Sequence, residues 1–328
     1  MPLRVGIIGA GIAGLTLATR LVEAGHEVKL LDKGRGVGGR TSTRRGDPAA
    51  FDHGAQYFTV RDPRFRTFLD EHLPPEVRQR WEGRFARLEQ GELLDENRLD
   101  PRYVGVPGMN AIARALATKL DAQTDGRVVR LSGQPGRWIL SVANGYDPGP
   151  LDWVVSTAPP TQTAALFEGI SPIATTIGQV RMRPCFTLMI APADGAELPF
   201  DGIRAKHPVL GWLANNHSKP GREPIPALVI QSSPEWAEAR IDAQPIDVIQ
   251  SLKQATAECF GIDLEAPTFE SVHRWLYAQP VEPLGSEFVI DPQARIAACG
   301  DWCLSGKVEG AFLSGLALAE EFIRRSQD

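Results

Sequence analysis

The glycine-rich hexapeptide Gly9–Gly14, GAGIAG, constrains the fold of this chain more than any other feature. It follows an apolar run, Arg4–Ile8, that is typical of a buried parallel strand. Apolar residues at helical spacing begin inside the hexapeptide, and Gly25 is placed to end that helix. A second strand-like run, Glu27–Asp32, follows. This order of strand, glycine turn, helix and strand predicts a β-α-β unit.

The three glycines have separate physical roles in such a unit. Gly9 permits the tight turn, Gly11 lets backbone approach a pyrophosphate, and Gly14 lets the helix pack on the strand. The first helical residues, Ile12 and Ala13, offer free N–H groups at the positive end of the helix dipole. The hexapeptide is therefore a predicted dinucleotide-binding site.

An acidic residue follows at the expected distance. Asp32 ends the second strand about 20 residues after Gly9, where its carboxylate can accept hydrogen bonds from ribose hydroxyls and disfavours a 2′-phosphate. Lys33, directly after it, is a further predicted cofactor contact. These residues do not separate FAD from NAD.

The next stretch, GVGGRT, favours FAD. A second glycine pair followed by Arg and Thr resembles the extended motif of the glutathione-reductase-like flavoproteins, especially the amine oxidase branch. The resemblance implies backbone contact at Gly39, a place near the pyrophosphate for Arg40, and a cofactor contact at Thr41.

Two distant segments resemble the same flavoproteins. Near the C-terminus, a strand at Arg295–Cys299 precedes Asp301 and a helix from about Glu309. The resemblance places Asp301 against the ribityl chain and turns Gly310 and Ala311, at the helix N-terminus, toward the flavin. In the middle of the chain, the predicted strand Arg127–Leu131 is expected to bring backbone near Val128 to the adenine.

Four further stretches make the resemblance more specific. They resemble the renalase family, within the amine-oxidase-like flavoproteins, over essentially the whole chain: FDHGAQYFT at 51–59, WLANNHSKPGR at 212–222, HRWLYA at 273–278 and CGDWCLSG at 299–306. The resemblance implies non-covalent FAD, hydride removal from 2- and 6-dihydro isomers of NAD(P), and transfer of the electrons to O2 to give hydrogen peroxide. Neither the preferred isomer nor the choice of NAD or NADP follows from the sequence.

Hydride transfer requires a donor ring stacked on the flavin, with aromatic walls and few acids or bases. Trp302 is one candidate wall, and Arg274 is a candidate for the rim. The candidate catalytic residues are Trp275, Tyr277, Asn215 and His273, and Gln56 and Tyr57 are candidate cofactor contacts. Asn215 and Gln56 are also candidates to bind a carboxamide.

Two alternatives remain open. A flavin-dependent amine oxidase or desaturase would use the same fold, although no acidic cluster stands out in residues 205–280 to bind a cationic amine. A non-catalytic FAD-binding redox sensor belongs to a different functional class.

The predicted fold class is α/β, a Rossmann-type FAD-binding domain of glutathione-reductase-like, p-hydroxybenzoate-hydroxylase/amine-oxidase topology with an inserted mixed α+β substrate domain. The FAD-binding domain is assigned to 1–60, 105–160 and 285–328, and the substrate domain to 61–104 and 161–284.

The composition indicates which classes of binding partner to expect. A net charge of -5 gives no reason to expect nucleic acid, and no apolar run reaches the roughly 20 residues of a membrane span. The 4 cysteines show neither CxxC nor zinc spacing, so neither a metal nor a disulfide is expected. The expected partners are a small-molecule substrate and O2, and the expected location is the cytoplasm. The oligomeric state is left open.

Overall fold

The computed structural model describes residues 2–96 and 100–327. The helices are α1 (Ile12–Glu23), α2 (Pro63–His72), α3 (Asn110–Ala117), α4 (Pro160–Phe167), α5 (Ile173–Gly178), α6 (Pro234–Ala239), α7 (Pro245–Phe260), α8 (Asp301–Leu304) and α9 (Val308–Gln327). The strands are β1 (Arg4–Ile8), β2 (Glu27–Leu31), β3 (Thr43–Arg45), β4 (Ala50–Asp52), β5 (Arg78–Arg80), β6 (Phe85–Glu89), β7 (Glu92–Asp95), β8 (Tyr103–Gly105), β9 (Ala122–Gln123), β10 (Val128–Gln134), β11 (Arg137–Val142), β12 (Trp153–Ser156), β13 (Met182–Pro192), β14 (Gly202–Lys206), β15 (Leu210–Asn215), β16 (Leu228–Ser232), β17 (Pro267–Pro280), β18 (Val289–Asp291) and β19 (Ile296–Ala298).

The first sheet has the order β18-β19-β12-β1-β2-β9 in the described part of the chain. Strands β19, β12, β1, β2 and β9 pair in parallel, and β18 adds an antiparallel edge. Helices α1 and α9 pack together on this sheet. The predicted α/β fold class with a Rossmann-type unit is therefore confirmed.

Local sequence explains how α1 ends and how closely α9 approaches it. Gly25 takes a φ of 85°, and the N–H groups of Gly25 and His26 donate to the carbonyls of Val22 and Leu21. This is the Schellman arrangement that glycine permits. Where α9 crosses α1, a Cβ on Gly315 would lie 2.4 Å from the carbonyl oxygen of Ala13, so this crossing requires glycine.

The second sheet has the order β17-β13-β16-β15-β14-β6-β7 within the described residues. Its long strands β13 and β17 pair antiparallel along most of their length. One face buries Leu88, Ile203, Leu213 and Ile230 in a core completed by α7. The other face turns toward the first sheet and forms one wall of the cleft described below.

Helices α4 and α5 pack with the first sheet, although they lie in the segment assigned to the substrate domain from residue 161. Phe167 and Ile177 share a buried core with Val154 and Ile296. The domain boundaries themselves stay predictions. No helix of the described ranges is both long and apolar enough to cross a membrane.

Candidate functional site: a cleft between the two sheets

A cleft of about 1000 Å³ runs from the glycine turn across the open face of the second sheet. Its lining comes from three places: the turn after β1 with the start of α1, the segment Gly54–Thr59, and the strands of the second sheet. The N-terminal turn of α9 closes one side, through Lys307, Val308, Glu309 and Ala311. One continuous space therefore joins the glycine turn to the start of α9.

Gly9 and Gly14 have the structural roles predicted from the sequence, and contact of Gly11 with a pyrophosphate stays a prediction. Gly9 has a φ of 110°, which glycine adopts readily. A Cβ on Gly14 would lie 2.0 Å from the carbonyl oxygen of Gly9, so helix and strand require glycine there. A Cβ on Gly11 would meet nothing within 4 Å, because Gly11 borders the open cleft. Gly39, with a φ of 54°, brings its backbone close to Gly11.

The start of α1 carries N–H groups suited to an anion. Gly11 is the N-cap and supplies no side-chain hydrogen bond, and Ile12 and Ala13 line the cleft. The first N–H groups of a helix lack partners within the helix. A phosphate held there would satisfy them and meet the positive end of the helix dipole.

Arg40 and Asp301 meet across 261 positions of sequence. The Arg40 guanidinium donates to both carboxylate oxygens of Asp301, at 2.9 and 2.5 Å, and to the carbonyl of Ala278 at 3.0 Å. The Arg40 side chain is 31% exposed and lines the cleft, as do Thr41 and Asp301. Two predicted cofactor residues from opposite ends of the chain therefore lie together.

At the C-terminal side, Ala311 lines the cleft, whereas Gly310 is buried beside Ser305. A Cβ on Gly310 would lie 2.2 Å from Ser305 Oγ, so a larger residue there would require the Ser305 hydroxyl to rotate away.

Besides the glycines at 9, 14, 39 and 310, three predicted contacts lie beyond the cleft lining. Asp32 accepts from the N–H groups of Ala10 and Gly34, both at 2.7 Å, and so orders the glycine turn. Burial raises the pKa of Asp32, and these hydrogen bonds oppose the shift. Lys33 is exposed and donates to Gln162, and Val128 is half-buried at the start of β10. Direct contact of these three residues with a cofactor stays a prediction.

The two amide side chains proposed for carboxamide binding are both occupied within the protein. Asn215 is 4% exposed, accepts from the N–H of Leu198 and donates to the carbonyls of Leu198 and Phe200. The prediction that Asn215 binds substrate is wrong, because its amide shapes a buried loop.

Gln56 does line the cleft, but its amide donates to the carbonyls of Asp52 and Gly54 and accepts from Lys219. Both N–H groups of the Gln56 amide are therefore used within the protein. Gln56 and Tyr57 line the cleft, and their contact with a cofactor or a carboxamide stays a prediction.

Behind Gln56 lies a buried ionic network. Asp52 is fully buried and accepts from Lys219 at 3.2 Å, Arg222 at 2.5 Å, the N–H of Met109 at 2.9 Å and Thr43 at 2.7 Å. Burial alone would raise the pKa of Asp52, but these charges and hydrogen bonds outweigh it and lower the pKa to about 2.

The surroundings favour the charged form of Asp52 but disfavour that of Lys219. Burial lowers the pKa of Lys219 to about 8, because desolvation and the neighbouring Arg222 charge outweigh the attraction of Asp52. The network joins the stretch at 51–59 to the stretch at 212–222, so two motifs far apart in sequence are one structural unit.

The stretch at 273–278 meets the stretch at 51–59 through stacked rings. His53 stacks on Trp275 with ring centroids 5.2 Å apart, and His273 packs edge-on against both rings. The Trp275 indole donates to the carbonyl of His53 at 2.8 Å. Burial and the neighbouring His273 lower the pKa of His53 to about 4, so His53 is neutral at pH 7.

Of the four predicted catalytic residues, Trp275 lines the cleft and Asn215 does not. His273 and Tyr277 also lie outside the lining formed by the described residues. His273 instead supports Trp275 from the side. Trp302, a candidate wall, is fully buried in the core beside the first sheet, so that prediction is wrong.

Sequence reasoning missed much of the sheet wall. Gln231, Trp212, Arg204 and Arg87 lie side by side on neighbouring strands and all line the cleft. Cys185 joins them from β13, and burial raises the pKa of its thiol to about 11. The alternation of apolar and basic residues in Ile203–Lys206 was the signal in the sequence for part of this wall.

Comparisons with known proteins agree with this geometry. Residues 7–72 match the family of NAD(P)-binding Rossmann-like domains. A carotenoid 3,4-desaturase of Haloarcula japonica is 34% identical over 99 residues, which are 30% of this chain and 17% of the desaturase. A 4,4'-diapophytoene desaturase of Staphylococcus aureus is 40% identical over 60 residues, 18% of this chain and 12% of that protein. The matched region spans less than a fifth of the length of these relatives.

Solved structures match over the whole length. A proposed protoporphyrinogen oxidase from Exiguobacterium sp. 255-15 aligns with a TM-score of 0.80 and 14% identity, covering 99% of both chains. Cyclohexylamine oxidase from Brevibacterium oxydans IH-35A aligns with a TM-score of 0.75 and 13% identity, covering 100% of both chains. Putrescine oxidase bound to putrescine aligns at 0.73 and 14% identity, over 99% of this chain and 100% of that one. The chain has the fold of the amine oxidases.

The residues present fit FAD. The open space at Gly11, the uncapped start of α1 and the cleft-facing Arg40 suit its pyrophosphate, and the cleft continues to Ala311 at the start of α9. The thiols of Cys299 and Cys303 are buried, and neither forms a disulfide. Non-covalent FAD, as predicted, therefore agrees with both the fold and the cleft.

Proposed function

We propose that this protein is an FAD-dependent oxidase of renalase type. It would oxidise the 2- or 6-dihydro isomers of NAD(P) to NAD(P)+. The donor loses a hydride, and O2 takes up two electrons and two protons, one of them from solvent, to give hydrogen peroxide. FAD, when bound, supplies the hydride acceptor and the route to O2. The matching stretches in the sequence support this proposal.

One observation carries the proposal: the motifs that resemble renalases converge beside the segment Gly54–Tyr57. Asp52 joins Lys219 and Arg222, while His53 joins His273 and Trp275. These contacts hold the segment between them in the cleft lining. Three of the four sequence stretches therefore meet in one place, and the fourth, 299–306, lines the same cleft through Gly300, Asp301 and Gly306.

The chemistry of the lining suits hydride transfer without proton removal. Near Gly54 the wall consists of Trp275, Cys185, Gln231 and Trp212, of which the thiol is neutral because burial raises its pKa. The chain would bind and orient the donor ring and exclude water, with no base required. Trp275 is fixed in this wall by its hydrogen bond to the His53 carbonyl.

An amine oxidase or desaturase remains the second candidate, because the fold likeness to putrescine and cyclohexylamine oxidases favours it. The wall of the cleft argues against a cationic substrate. Where β14 and β6 form the wall, its lining includes three basic residues and one acidic residue: Arg204, Lys206, Arg87 and Glu89.

Anaerobic stopped-flow mixing tests the proposal. The purified flavoprotein is mixed with borohydride-reduced NAD+, which contains the 2-, 4- and 6-dihydro isomers. We expect rapid loss of the oxidised flavin absorbance, consumption of the 2- or 6-dihydro isomer and release of NAD+. Putrescine and cyclohexylamine form the parallel panel. Flavin that stays oxidised with every isomer but is reduced by an amine would replace the proposal with the second candidate.

A further inference from the structure

A single row of side chains crosses the open face of the second sheet and changes character along its length. The strand registers place Gln231 beside Trp212, Trp212 beside Arg204, and Arg204 beside Arg87. Neighbouring strands lie about 4.8 Å apart, so the row from Gln231 to Arg87 spans roughly 14 Å. The row begins with the neutral side chains of Gln231 and Trp212 and ends with two arginines.

The neutral start of the row lies at the predicted flavin-facing segment. Gln231 donates to the carbonyl of Gly54 at 2.9 Å, and the rings of Trp212 and Tyr57 have centroids 5.5 Å apart. Arg204 then donates to the Tyr57 hydroxyl at 3.1 Å. A ligand whose ring lies near Gly54 would therefore extend along the sheet toward the arginines.

The basic end of the cleft consists of Arg87, Arg204, Lys206 and His207. Lys206 is two residues beyond Arg204 on β14 and so shares its face. The two arginine side chains are each 44% exposed, and Lys206 is exposed without an ion pair among the described residues. His207 Nδ1 accepts from the N–H groups of Val209 and Leu210, which leaves its Nε2 as the donor in the neutral ring.

Positive side chains are adjacent at this end of the cleft. Arg87 and Arg204 are direct neighbours across β6 and β14, and like charges in that position destabilise a sheet. Each arginine has one acidic neighbour at long range, since Glu89 lies 3.6 Å from Arg87 and Glu96 lies 3.8 Å from Arg204. Glu96 is shared with the buried Arg102, at 2.6 Å, and Lys206 has no acidic partner among the described residues. Three cations on one open face suit a ligand with more than one negative charge.

FAD does not account for this end of the cleft. Its pyrophosphate fits Gly11, at the start of α1, and Arg40, in the loop after β2, and both lie on the side of the cleft opposite the second sheet. We propose that the basic end binds the pyrophosphate of a second dinucleotide, the substrate, and so selects dinucleotides over bare rings and amines. This inference rests on the proposed function, since it assigns the phosphates of the substrate whose ring would lie near Gly54.

The test uses a ligand that carries the pyrophosphate but has no reacting ring. ADP-ribose is titrated calorimetrically into the purified flavoprotein at low and high salt. We expect Lys206→Glu to raise its Kd by about tenfold or more, and the double variant Arg87→Ala/Lys206→Glu to raise it further. Salt should weaken binding to the wild-type protein more than to the double variant.

Lys119→Glu is the matched control, because Lys119 is equally exposed but lies outside the cleft lining. It should leave the Kd of ADP-ribose unchanged. The flavin spectrum of each variant should match that of the wild-type protein, since the substituted side chains are exposed. No variant should unfold at a lower temperature, and loss of Arg87 removes its repulsion with Arg204.

A second arm separates this inference from the proposed function. Dihydronicotinamide riboside isomers, which lack phosphate, should reduce the flavin with an apparent Kd that Lys206→Glu leaves unchanged. If dinucleotide isomers reduce the flavin but neither variant nor salt alters ADP-ribose binding, the phosphate site is refuted and the function stands. If ADP-ribose binds as expected but no isomer reduces the flavin, the site stands and the proposed function fails. Absence of ADP-ribose binding at low salt would overturn the inference outright.

Discussion

The Arg40–Asp301 pair and the Asp52–Lys219–Arg222 network both join residues more than 160 positions apart, yet their surroundings differ. The network is enclosed, with the side chains of Asp52 and Lys219 0% exposed and all acceptor positions of Asp52 in use. The Arg40 side chain is 31% exposed at the edge of the cleft. An enclosed network holds segments together, whereas a pair beside open space can exchange partners with a ligand.

The largest effect should follow from breaking the enclosed network. Asp52→Asn would leave two buried cations without their counter-charge, which costs about 3–5 kcal/mol in comparable cases. The free energy of unfolding by urea should fall by that amount. Asp301→Asn, which breaks the cleft pair, should cost clearly less. Equal losses in the two variants would remove the distinction between them.

The contribution of the network to the free energy of unfolding should depend on pH in the acid range. The folded pKa of Asp52, about 2, lies below the unfolded value of about 3.9. The stabilisation is therefore complete above about pH 4 and is lost as the pH falls toward 2. We expect the wild-type protein to lose on the order of 2 kcal/mol more than Asp52→Asn across this window. Urea unfolding at several pH values measures the difference, and parallel curves for the two proteins would contradict it.

The cleft pair should matter more for cofactor binding than for folding. Arg40→Gln removes charged hydrogen bonds to a pyrophosphate, so the Kd of FAD should rise roughly tenfold to a hundredfold. The unfolding free energy of the FAD-free protein should fall less than in Asp52→Asn, because the Arg40 side chain is 31% exposed and a glutamine amide can still donate to Asp301. Quenching of FAD fluorescence gives the first quantity. An unaltered Kd would show that Arg40 is structural.

The smallest and sharpest test compares two glycines in one turn. A methyl group at Gly11 would meet nothing, so Gly11→Ala should leave the FAD-free protein within about 0.5 kcal/mol of wild-type stability. FAD binding should weaken by about tenfold, since the methyl group takes space that the phosphate needs. Gly14→Ala is the control: its Cβ would lie 2.0 Å from the Gly9 oxygen, so stability itself should fall. The reverse pattern would mean that Gly11 does not face the pyrophosphate.

Sequence was sufficient wherever structure depends on neighbours along the chain. The Gly9–Gly14 turn, the end of α1 at Gly25 and the strand Trp153–Ser156 follow from local backbone geometry and hydrophobic spacing. The same reasoning failed for Asn215 and did not show how the Gln56 amide is bonded. The hydrogen-bond partners of the Asn215 amide lie 15 to 17 positions away. The N–H groups of Gln56 bind nearby carbonyls within a non-repetitive turn, and its oxygen accepts from Lys219, 163 positions away. A polar side chain in a motif does not reveal whether the protein itself already satisfies it.

The sequence by itself determined the β-α-β dinucleotide unit, the FAD-like ends of the chain and the four stretches that belong to one site. Only the tertiary structure decided which side chains face the cleft. Strand register placed Gln231, Trp212, Arg204 and Arg87 in one row, although they come from segments up to 144 positions apart. Register depends on pairing between distant strands, and a shift of one residue would turn each side chain to the opposite face. That dependence is why the glycine turn could be read from the sequence and the basic end of the cleft could not.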